Sequence, residues 1–271
     1  MFERPNGGDA AIMVSVDFGD SDYEESLNEL RQLSISAGLS VRGTIEGKRA
    51  TPDAKLFIGS GKADELAQMM QASESNIAVF NHDLSPSQQR NLERLLQARV
   101  VDRTGLILDI FSQRAQSHEG KLQVELAQLE HLSTRLVRGW THLERQKGGI
   151  GVRGGPGETQ LELDRRMLRV RVKQLREKLI KLKAQRGMQR RARKRSNVMT
   201  VSLVGYTNAG KSTVFNRLTK ADIYVADQLF ATLDTTTHKI YVADAGSVVL
   251  SDTVGLLNIC LMPWSKRLVQ P

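Results

Sequence analysis

An eight-residue segment in the last quarter of the chain constrains its fold more than any other feature. The segment runs through Gly205, Tyr206, Thr207, Asn208, Ala209, Gly210, Lys211 and Ser212. The apolar run Val201–Val204 precedes it, and the helix-compatible sequence Thr213–Leu218 follows it. The spacing G-x-x-x-x-G-K-S between a strand and a helix is typical of a loop whose backbone N–H groups surround phosphates. The sequence therefore predicts a P-loop nucleotide site within an α/β domain.

Two side chains at the end of this loop suit a bound triphosphate. Lys211 offers a positive charge to the β- and γ-phosphates, and the hydroxyl of Ser212 suits one coordination position of Mg²⁺. The N-terminus of the helix that follows adds its dipole. We therefore expect a nucleoside triphosphate as the substrate and Mg²⁺ as the cofactor.

Two short motifs follow the P-loop in the order found in nucleotide switches. The first consists of Phe230, Ala231, Thr232, Leu233 and Asp234, and its Thr232 hydroxyl is expected to reach Mg²⁺ and the γ-phosphate. The second consists of Asp252, Thr253, Val254 and Gly255, in which Asp252 would hold a Mg²⁺-bound water and the Gly255 N–H would contact the γ-phosphate. Together they predict a GTPase-type switch with Lys211 and Thr232 as catalytic residues and Ser212 and Thr232 as metal ligands. No glutamine follows Gly255, so another group must orient the attacking water.

Composition excludes several classes of protein. Hydrophobic residues make up 40% of the chain, and no apolar run reaches the ~18–20 residues of a membrane-spanning helix. The N-terminus lacks the basic-then-apolar order of a signal peptide, which indicates the cytosol. The single cysteine, Cys260, excludes an intramolecular disulfide and a cysteine-based zinc site.

Positive charge is concentrated in one segment. The whole chain has a net charge of +9, whereas residues 165–195 contain 15 lysines and arginines and one acidic residue, Glu177. Because this segment has so few acidic residues to form internal ion pairs, we interpret it as a nucleic-acid contact rather than as a solvated helix face or a linker.

The first 111 residues alternate short apolar strands with amphipathic helices, which is typical of a small α/β domain with a mostly parallel sheet. The predicted strands are Ile12–Phe18, Ser40–Glu46, Leu56–Ile58, Ile77–Phe80 and Val100–Asp102. The predicted helices are Tyr23–Ala37, Ala63–Ala72 and Pro86–Ala98, the last with Ser85 as its N-cap. For Gly59–Lys62, a tight turn is favoured over a phosphate cradle.

Leucines at a spacing of seven predict two long helices that fold back as an antiparallel hairpin. They are Leu122, Leu129, Leu136 and Leu143 in the first helix and Leu161, Leu168, Leu175 and Leu182 in the second. The connection at residues 148–157 contains six glycines, although a hairpin needs only about 2–5 residues to reverse direction. We interpret this connection as a tip that approaches another surface, such as RNA, rather than as a simple turn.

Three segments resemble the HflX GTPases. They are Val101–Gly105, Ile107–Phe111 and the glycine-rich Gly148–Glu162, and the resemblance covers about residues 10–255. It implies an N-terminal α/β domain, a helical hairpin and a GTP-hydrolysing G domain that together bind the 50S ribosomal subunit and its rRNA. It also implies splitting or rescue of ribosomes under stress, ATP binding through the N-terminal region, and Thr232 as the threonine of switch I. The family's usual proline after Asp234 is Thr235 here.

After Gly255 the sequence departs from the family, and the N-K-x-D motif that recognises guanine is absent from residues 255–271. A one-base deletion near codon 256 would account for this change.

We therefore expect an N-terminal α/β domain over residues 1–111, a helical hairpin with a basic linker over 112–195, an incomplete P-loop GTPase domain over 196–255 and an aberrant tail over 256–271. Such a chain is expected to be cytoplasmic, ribosome-associated, monomeric when free and impaired in hydrolysis. A non-enzymatic RNA-binding fragment and a P-loop ATPase remain as alternatives.

Overall fold

The computed structural model describes residues 8–139, 160–195, 199–220, 229–230, 233, 236–242 and 246–255. Of these, residues 8–109, 128–139 and 160–172 belong to one compact unit, and residues 110–127 together with the described residues between 173 and 255 belong to a second. The glycine-rich connection and the tail that the sequence predicts lie outside the described residues.

Four parallel strands form the sheet of the first unit. They are β1 (Ala10–Asp17), β2 (Ser40–Lys48), β3 (Ile77–Phe80) and β4 (Arg99–Asp102), in the order β2-β1-β3-β4. The helices α1 (Tyr23–Ser36), α2 (Ser60–Ala72), α3 (Pro86–Leu96) and α4 (Arg103–Arg114) alternate with them. The central strands β1 and β3 are buried along almost their whole length, as expected for a parallel sheet that is covered on both faces. The predicted α/β class is confirmed.

The start of α3 follows from its sequence. Ser85 Oγ accepts a hydrogen bond from the Gln88 backbone N–H at 3.2 Å, and Gln88 Oε1 accepts one from the Ser85 backbone N–H at 2.9 Å. With Pro86 at the first helical position, this capping box satisfies N–H groups that the helix itself leaves unpaired. The predicted N-cap is confirmed.

The predicted strand over Leu56–Ile58 is wrong. The segment makes one isolated bridge, between Asp53 and Phe57, and Phe57 has a φ of 66° in the left-handed region. Its side chains are only 4–6% exposed and pack into the core against α2. A short apolar run that fills a core has the same pattern as a short buried strand, so the sequence does not distinguish them. Asp53 organises the turn by accepting hydrogen bonds from two backbone N–H groups, which lower the pKa of its carboxyl.

Two long helices, α5 (His118–Gly139) and α6 (Gln160–Arg195), follow this sheet. Within the second unit, Glu119 near the start of α5 pairs with Arg186 near the end of α6 at 2.7 Å, as an antiparallel arrangement requires. Along α6, Leu168, Leu175 and Leu182 of the predicted repeat are buried or half-buried, and the residues next to each are exposed. Val172 and Leu179, which lie between these leucines, are half-buried as well. None of the helices among the described residues is long and apolar enough to cross a membrane.

A buried ion cluster ties α5 to the carboxyl end of β4 within the first unit. Arg135 Nη2 donates to Asp102 Oδ2 at 2.5 Å, and Arg135 Nε donates to His131 Nε2 at 2.9 Å. Asp102 is 2% exposed, and its other oxygen accepts from the Gly105 backbone N–H. Burial lowers the pKa of His131, so its ring is held neutral and able to accept the hydrogen bond from Arg135.

Three strands form the sheet of the second unit. They are β5 (Met199–Leu203), β6 (Thr236–Val242) and β7 (Gly246–Asp252), in the order β5-β7-β6, and α7 (Lys211–Thr219) follows β5. β5 runs parallel to β7, and β6 pairs antiparallel with β7. Among the described residues β5 is an edge strand, and its side chains Met199 and Val201 are 57% and 40% exposed.

Candidate nucleotide-binding site

The predicted P-loop lies between β5 and α7 in the second unit. Asn208 and Gly210 have φ angles of 61° and 76°, so the backbone turns through the left-handed region twice before Lys211 begins the helix. Glycine adopts this conformation without steric cost, and asparagine tolerates it better than most residues. These two residue types therefore permit the curled backbone that a phosphate cradle needs.

Lys211 folds back over the loop that precedes it. Its Nζ donates a hydrogen bond to the Tyr206 carbonyl oxygen at 2.5 Å. Burial lowers the pKa of the Lys211 ammonium group, and the negative charge of Asp252 opposes that shift. The hydrogen bond to Tyr206 and the attraction to Asp252 hold the positive charge of Lys211 beside the loop, where a phosphate would bind.

Ser212 and Asp252 are joined directly, although 40 residues separate them in the sequence. Ser212 Oγ donates to Asp252 Oδ2 at 2.6 Å. Asp252 ends β7 and is fully buried, and its Oδ1 is a buried atom without a hydrogen-bond partner. A buried carboxylate oxygen without a partner is costly, and a hydroxyl beside a carboxylate forms part of the hard oxygen set that Mg²⁺ prefers. The residues therefore fit a Mg²⁺ ion.

The second switch motif packs tightly against the P-loop. Thr253 Oγ1 donates to the Leu203 carbonyl oxygen at 2.6 Å. A Cβ placed on Gly255 would lie 2.6 Å from Thr207 Cα and 2.8 Å from the Thr207 backbone N. Only glycine fits here, because the atoms that a side chain would meet are mostly backbone. The structure thus brings the P-loop and residues 252–255 together, as the sequence predicts.

The first switch motif is described only in part. Phe230 and Leu233 are buried, at 5% and 6% exposure, whereas Ala231, Thr232 and Asp234 lie outside the described residues. The Phe230 ring packs against Phe111 of α4, with centroids 4.7 Å apart and planes at 83°. Sequence reasoning gave Phe111 no part in the nucleotide site, and no local pattern marks this contact.

The Gly59–Lys62 segment forms a tight turn at the start of α2. Gly59 has a φ of 84°, and the Arg49 guanidinium covers it while donating to the Ile58 carbonyl oxygen at 2.8 Å. Lys62 pairs with Glu65 at 2.7 Å. These contacts agree with the favoured turn interpretation, and ATP binding in the N-terminal region stays a prediction.

Comparison with known families accounts for most of the chain. Residues 24–112 match a family described as GTP-binding GTPase N-terminal, and residues 114–193 match the GTP-binding GTPase middle region. Residues 200–268 match a family described as 50S ribosome-binding GTPase. The GTPase HflX of Escherichia coli (strain K12) is 58% identical over 258 residues, which cover 95% of this chain and 60% of that protein. The chain belongs to the HflX family of GTPases.

Other HflX proteins are similar over the same region. The GTPase HflX of Magnetococcus marinus is 52% identical over 86% of this chain and 54% of its own length. The chain thus spans 60% or less of the length of these HflX relatives. A GTP-binding protein of Sulfolobus solfataricus, solved in complex with GDP, has a similar fold, with a TM-score of 0.52, 22% identity, and coverage of 96% of this chain and 65% of that one. The predicted family is confirmed.

Proposed function

We propose that the chain binds GTP with Mg²⁺ through its P-loop and forms part of a GTPase that associates with the 50S ribosomal subunit. The contact between Ser212 and Asp252 carries the nucleotide part of this proposal. It places a hydroxyl and a buried carboxylate with an unpartnered oxygen at the first turn of α7, where a P-loop protein holds its metal.

Each residue of the site has a defined task in this proposal. The backbone N–H groups of residues 205–211 bind the phosphates, and Lys211 exchanges its contact with the Tyr206 carbonyl for the β- and γ-phosphate oxygens. Ser212 and Thr232 would hold Mg²⁺, while Asp252 would accept hydrogen bonds from water in its shell. The ion supplies charge neutralisation for the phosphate oxygens during transfer.

The Gly255 N–H is the proposed sensor of the γ-phosphate. Its close packing on Thr207 fixes the distance between the second switch and the P-loop. A γ-phosphate that binds this N–H would therefore favour the closed arrangement, whereas a diphosphate would leave the motif free to move. In the proposed reaction the attacking water must be oriented by a group other than a glutamine after Gly255, because Leu256 occupies that position.

The basic helix α6 supports the ribosome part of the proposal. Exposed cations along it include Arg169, Arg171 and Lys173. Binding of rRNA by such a helix releases counterions and weakens steeply with salt. Residues 200–268 also match a family described as 50S ribosome-binding GTPase. On these two grounds we propose that the chain binds the 50S subunit, with its rRNA as partner. We also propose that it takes part in splitting or rescuing ribosomes under stress.

Fluorescent GTP and GDP analogues test the nucleotide part. Lys211→Ala should weaken binding of both nucleotides by at least about tenfold, since it removes a charge-assisted phosphate contact. Lys220→Ala is the matched control, because Lys220 is an exposed lysine just after the same helix. Equal binding by the two variants would contradict the proposal, and selective competition by ATP would favour the ATPase alternative.

Co-sedimentation with 50S subunits tests the ribosome part. Reversing the charges of Arg169, Arg171 and Lys173 to glutamate should abolish binding at moderate salt. A matched control reverses three exposed cations of the first unit, Arg31, Arg42 and Lys48. Binding that survives Lys211→Ala but not the reversal in α6 would favour the non-enzymatic RNA-binding alternative.

A further inference from the structure

Thr253 lies where the second switch motif leaves the sheet of the second unit. The parallel pairing of β5 with β7 ends at the pair formed by Leu203 and Asp252, and Thr253 is the next residue along the chain. It is 7% exposed. Thr253 is therefore a buried residue between Asp252 and Gly255, the two residues of the motif that have tasks in the proposed function.

The hydroxyl of Thr253 is committed to the main chain. Its Oγ1 donates a hydrogen bond to the Leu203 carbonyl oxygen at 2.6 Å, although 50 residues separate the two in the sequence. A threonine hydroxyl has one donor hydrogen, so this bond leaves none for a phosphate oxygen. Thr253 can therefore serve the site by fixing the position of its neighbours rather than by touching the nucleotide.

The anchor of this hydrogen bond is the strand that leads into the P-loop. Leu203 ends β5, which pairs with β7 along all five of its residues, and Gly205 begins the P-loop two residues later. The bond thus joins the second switch motif to the base of the P-loop, just beyond the last paired residues of the two strands. It sets the direction in which residues 253–255 leave the sheet.

Contacts on both sides of Thr253 depend on that direction. On one side, Asp252 Oδ2 accepts from Ser212 Oγ at 2.6 Å. On the other, Gly255 lies so close to Thr207 that a Cβ would be 2.6 Å from the Thr207 Cα. Groups that act together in a site must be held to within about 0.5 Å. A small rotation of the motif at Thr253 would therefore disturb both contacts with the P-loop and its helix.

We propose that Thr253 is a positioning residue for triphosphate binding. Its hydroxyl, anchored on the Leu203 carbonyl, holds Asp252 beside Ser212 and Gly255 against the P-loop, so that less binding energy is spent on ordering them. This inference rests on the proposed GTP-binding function, because only there does the Gly255 N–H bind a γ-phosphate. A diphosphate does not use that N–H, so loss of the hydroxyl should weaken triphosphate binding selectively.

The first test compares affinities of the full chain for GTPγS and GDP in the presence of Mg²⁺. Thr253→Val keeps the branched side chain without the hydroxyl, and Thr253→Ser keeps the hydroxyl without the methyl group. Thr253→Val should weaken GTPγS binding about tenfold more than GDP binding, whereas Thr253→Ser should stay within about threefold of wild type for both. Equal losses for the two nucleotides in Thr253→Val, or the same selective loss in Thr253→Ser, would overturn the inference. Thr253→Ala replaces the valine variant if that variant does not fold.

Thr219→Val is the matched control. Thr219 is 8% exposed, and its Oγ1 donates to the Phe215 carbonyl oxygen at 2.8 Å near the end of α7 in the same unit. The control therefore removes the same kind of buried hydrogen bond away from the switch motif. It should leave the ratio of the two affinities as in wild type. A change in this ratio as large as that in Thr253→Val would show that general loosening of the unit causes the effect, and would overturn the inference.

The second test measures hydrogen exchange of peptides covering residues 251–255 in nucleotide-free protein. Exchange should be faster in Thr253→Val than in wild type, because the motif loses its anchor on β5. It should be unchanged in Thr253→Ser and in Thr219→Val. Wild-type exchange in Thr253→Val would show that the hydroxyl does not hold the motif.

The binding data also separate this inference from the function on which it rests. If wild type binds neither nucleotide, the proposed function fails and the positioning task of Thr253 fails with it. If wild type binds both and Thr253→Val keeps the wild-type ratio of affinities, only the inference fails.

Discussion

Gly255→Ala is expected to disable the switch for a steric reason. The new Cβ would lie 2.6 Å from Thr207 Cα, and ordinary contact begins at 3.4 Å. The two segments must therefore separate by about 0.8 Å, and overpacking of this kind costs about 1–3 kcal/mol. That cost corresponds to an about 5- to 150-fold loss of affinity for a ligand that needs the closed arrangement.

The assay is a titration with fluorescent GTPγS and GDP in the presence of Mg²⁺. GTPγS should lose more affinity than GDP, because only the triphosphate uses the Gly255 N–H. Gly61→Ala is the matched control, since a Cβ there meets nothing within 4 Å. A Gly255→Ala variant that binds GTPγS within about twofold of wild type would refute the reasoning, because twofold is well below 1 kcal/mol.

A second substitution locates the clash. Thr207→Gly removes the Cγ2 atom at 2.7 Å but leaves the Cα and N atoms in place. We therefore expect Thr207→Gly to restore little affinity when it is combined with Gly255→Ala. Full restoration would show that the threonine side chain, and not the backbone, limits the space at Gly255.

Three further predictions concern stability. Ser85→Ala should lower the free energy of unfolding by about 1 kcal/mol through loss of the α3 cap, and urea denaturation measures this; an unchanged midpoint would contradict the capping role. Asp102→Ala should cost about 3–5 kcal/mol, because it leaves Arg135 without its buried partner; thermal unfolding should show a smaller loss when Arg135→Met is added. Burial lowers the pKa of His131 below its usual 6.5, so folding is favoured above pH 6.5 and weakens as the pH falls through the folded-state pKa. His131→Gln should reduce this acid-side slope in pH-dependent unfolding, and an unaltered slope would assign it to another group.

Local signals were sufficient to predict much of the fold. The P-loop spacing placed residues 205–212 between β5 and α7, and Ser85 with Pro86 placed the start of α3. The seven-residue leucine repeat predicted the less exposed seam of α6. Each of these features depends on residues within one or two turns of each other, which is the range over which a single sequence carries information.

The features that could not be predicted from the sequence depend on contacts between residues that lie far apart along the chain. Leu56–Ile58 fills the core without pairing as a strand, and its short apolar run is compatible with either outcome. More than a hundred residues separate Phe111 from Phe230, and neither lies in a pattern that marks its partner. The close approach of Gly255 to Thr207 likewise depends on how β5 and β7 pair. The second switch motif was visible in the sequence, but the reason it needs glycine was not.

The metal dependence of triphosphate binding tests the central claim most directly. GTPγS affinity should be measured with and without Mg²⁺ for wild type, Ser212→Ala and the neighbouring exposed control Thr213→Ala. Mg²⁺ should strengthen binding at least about tenfold in wild type and in Thr213→Ala, but not in Ser212→Ala. Equal Mg²⁺ dependence in all three proteins would show that the Ser212 and Asp252 pair is not a metal site, and would contradict the account.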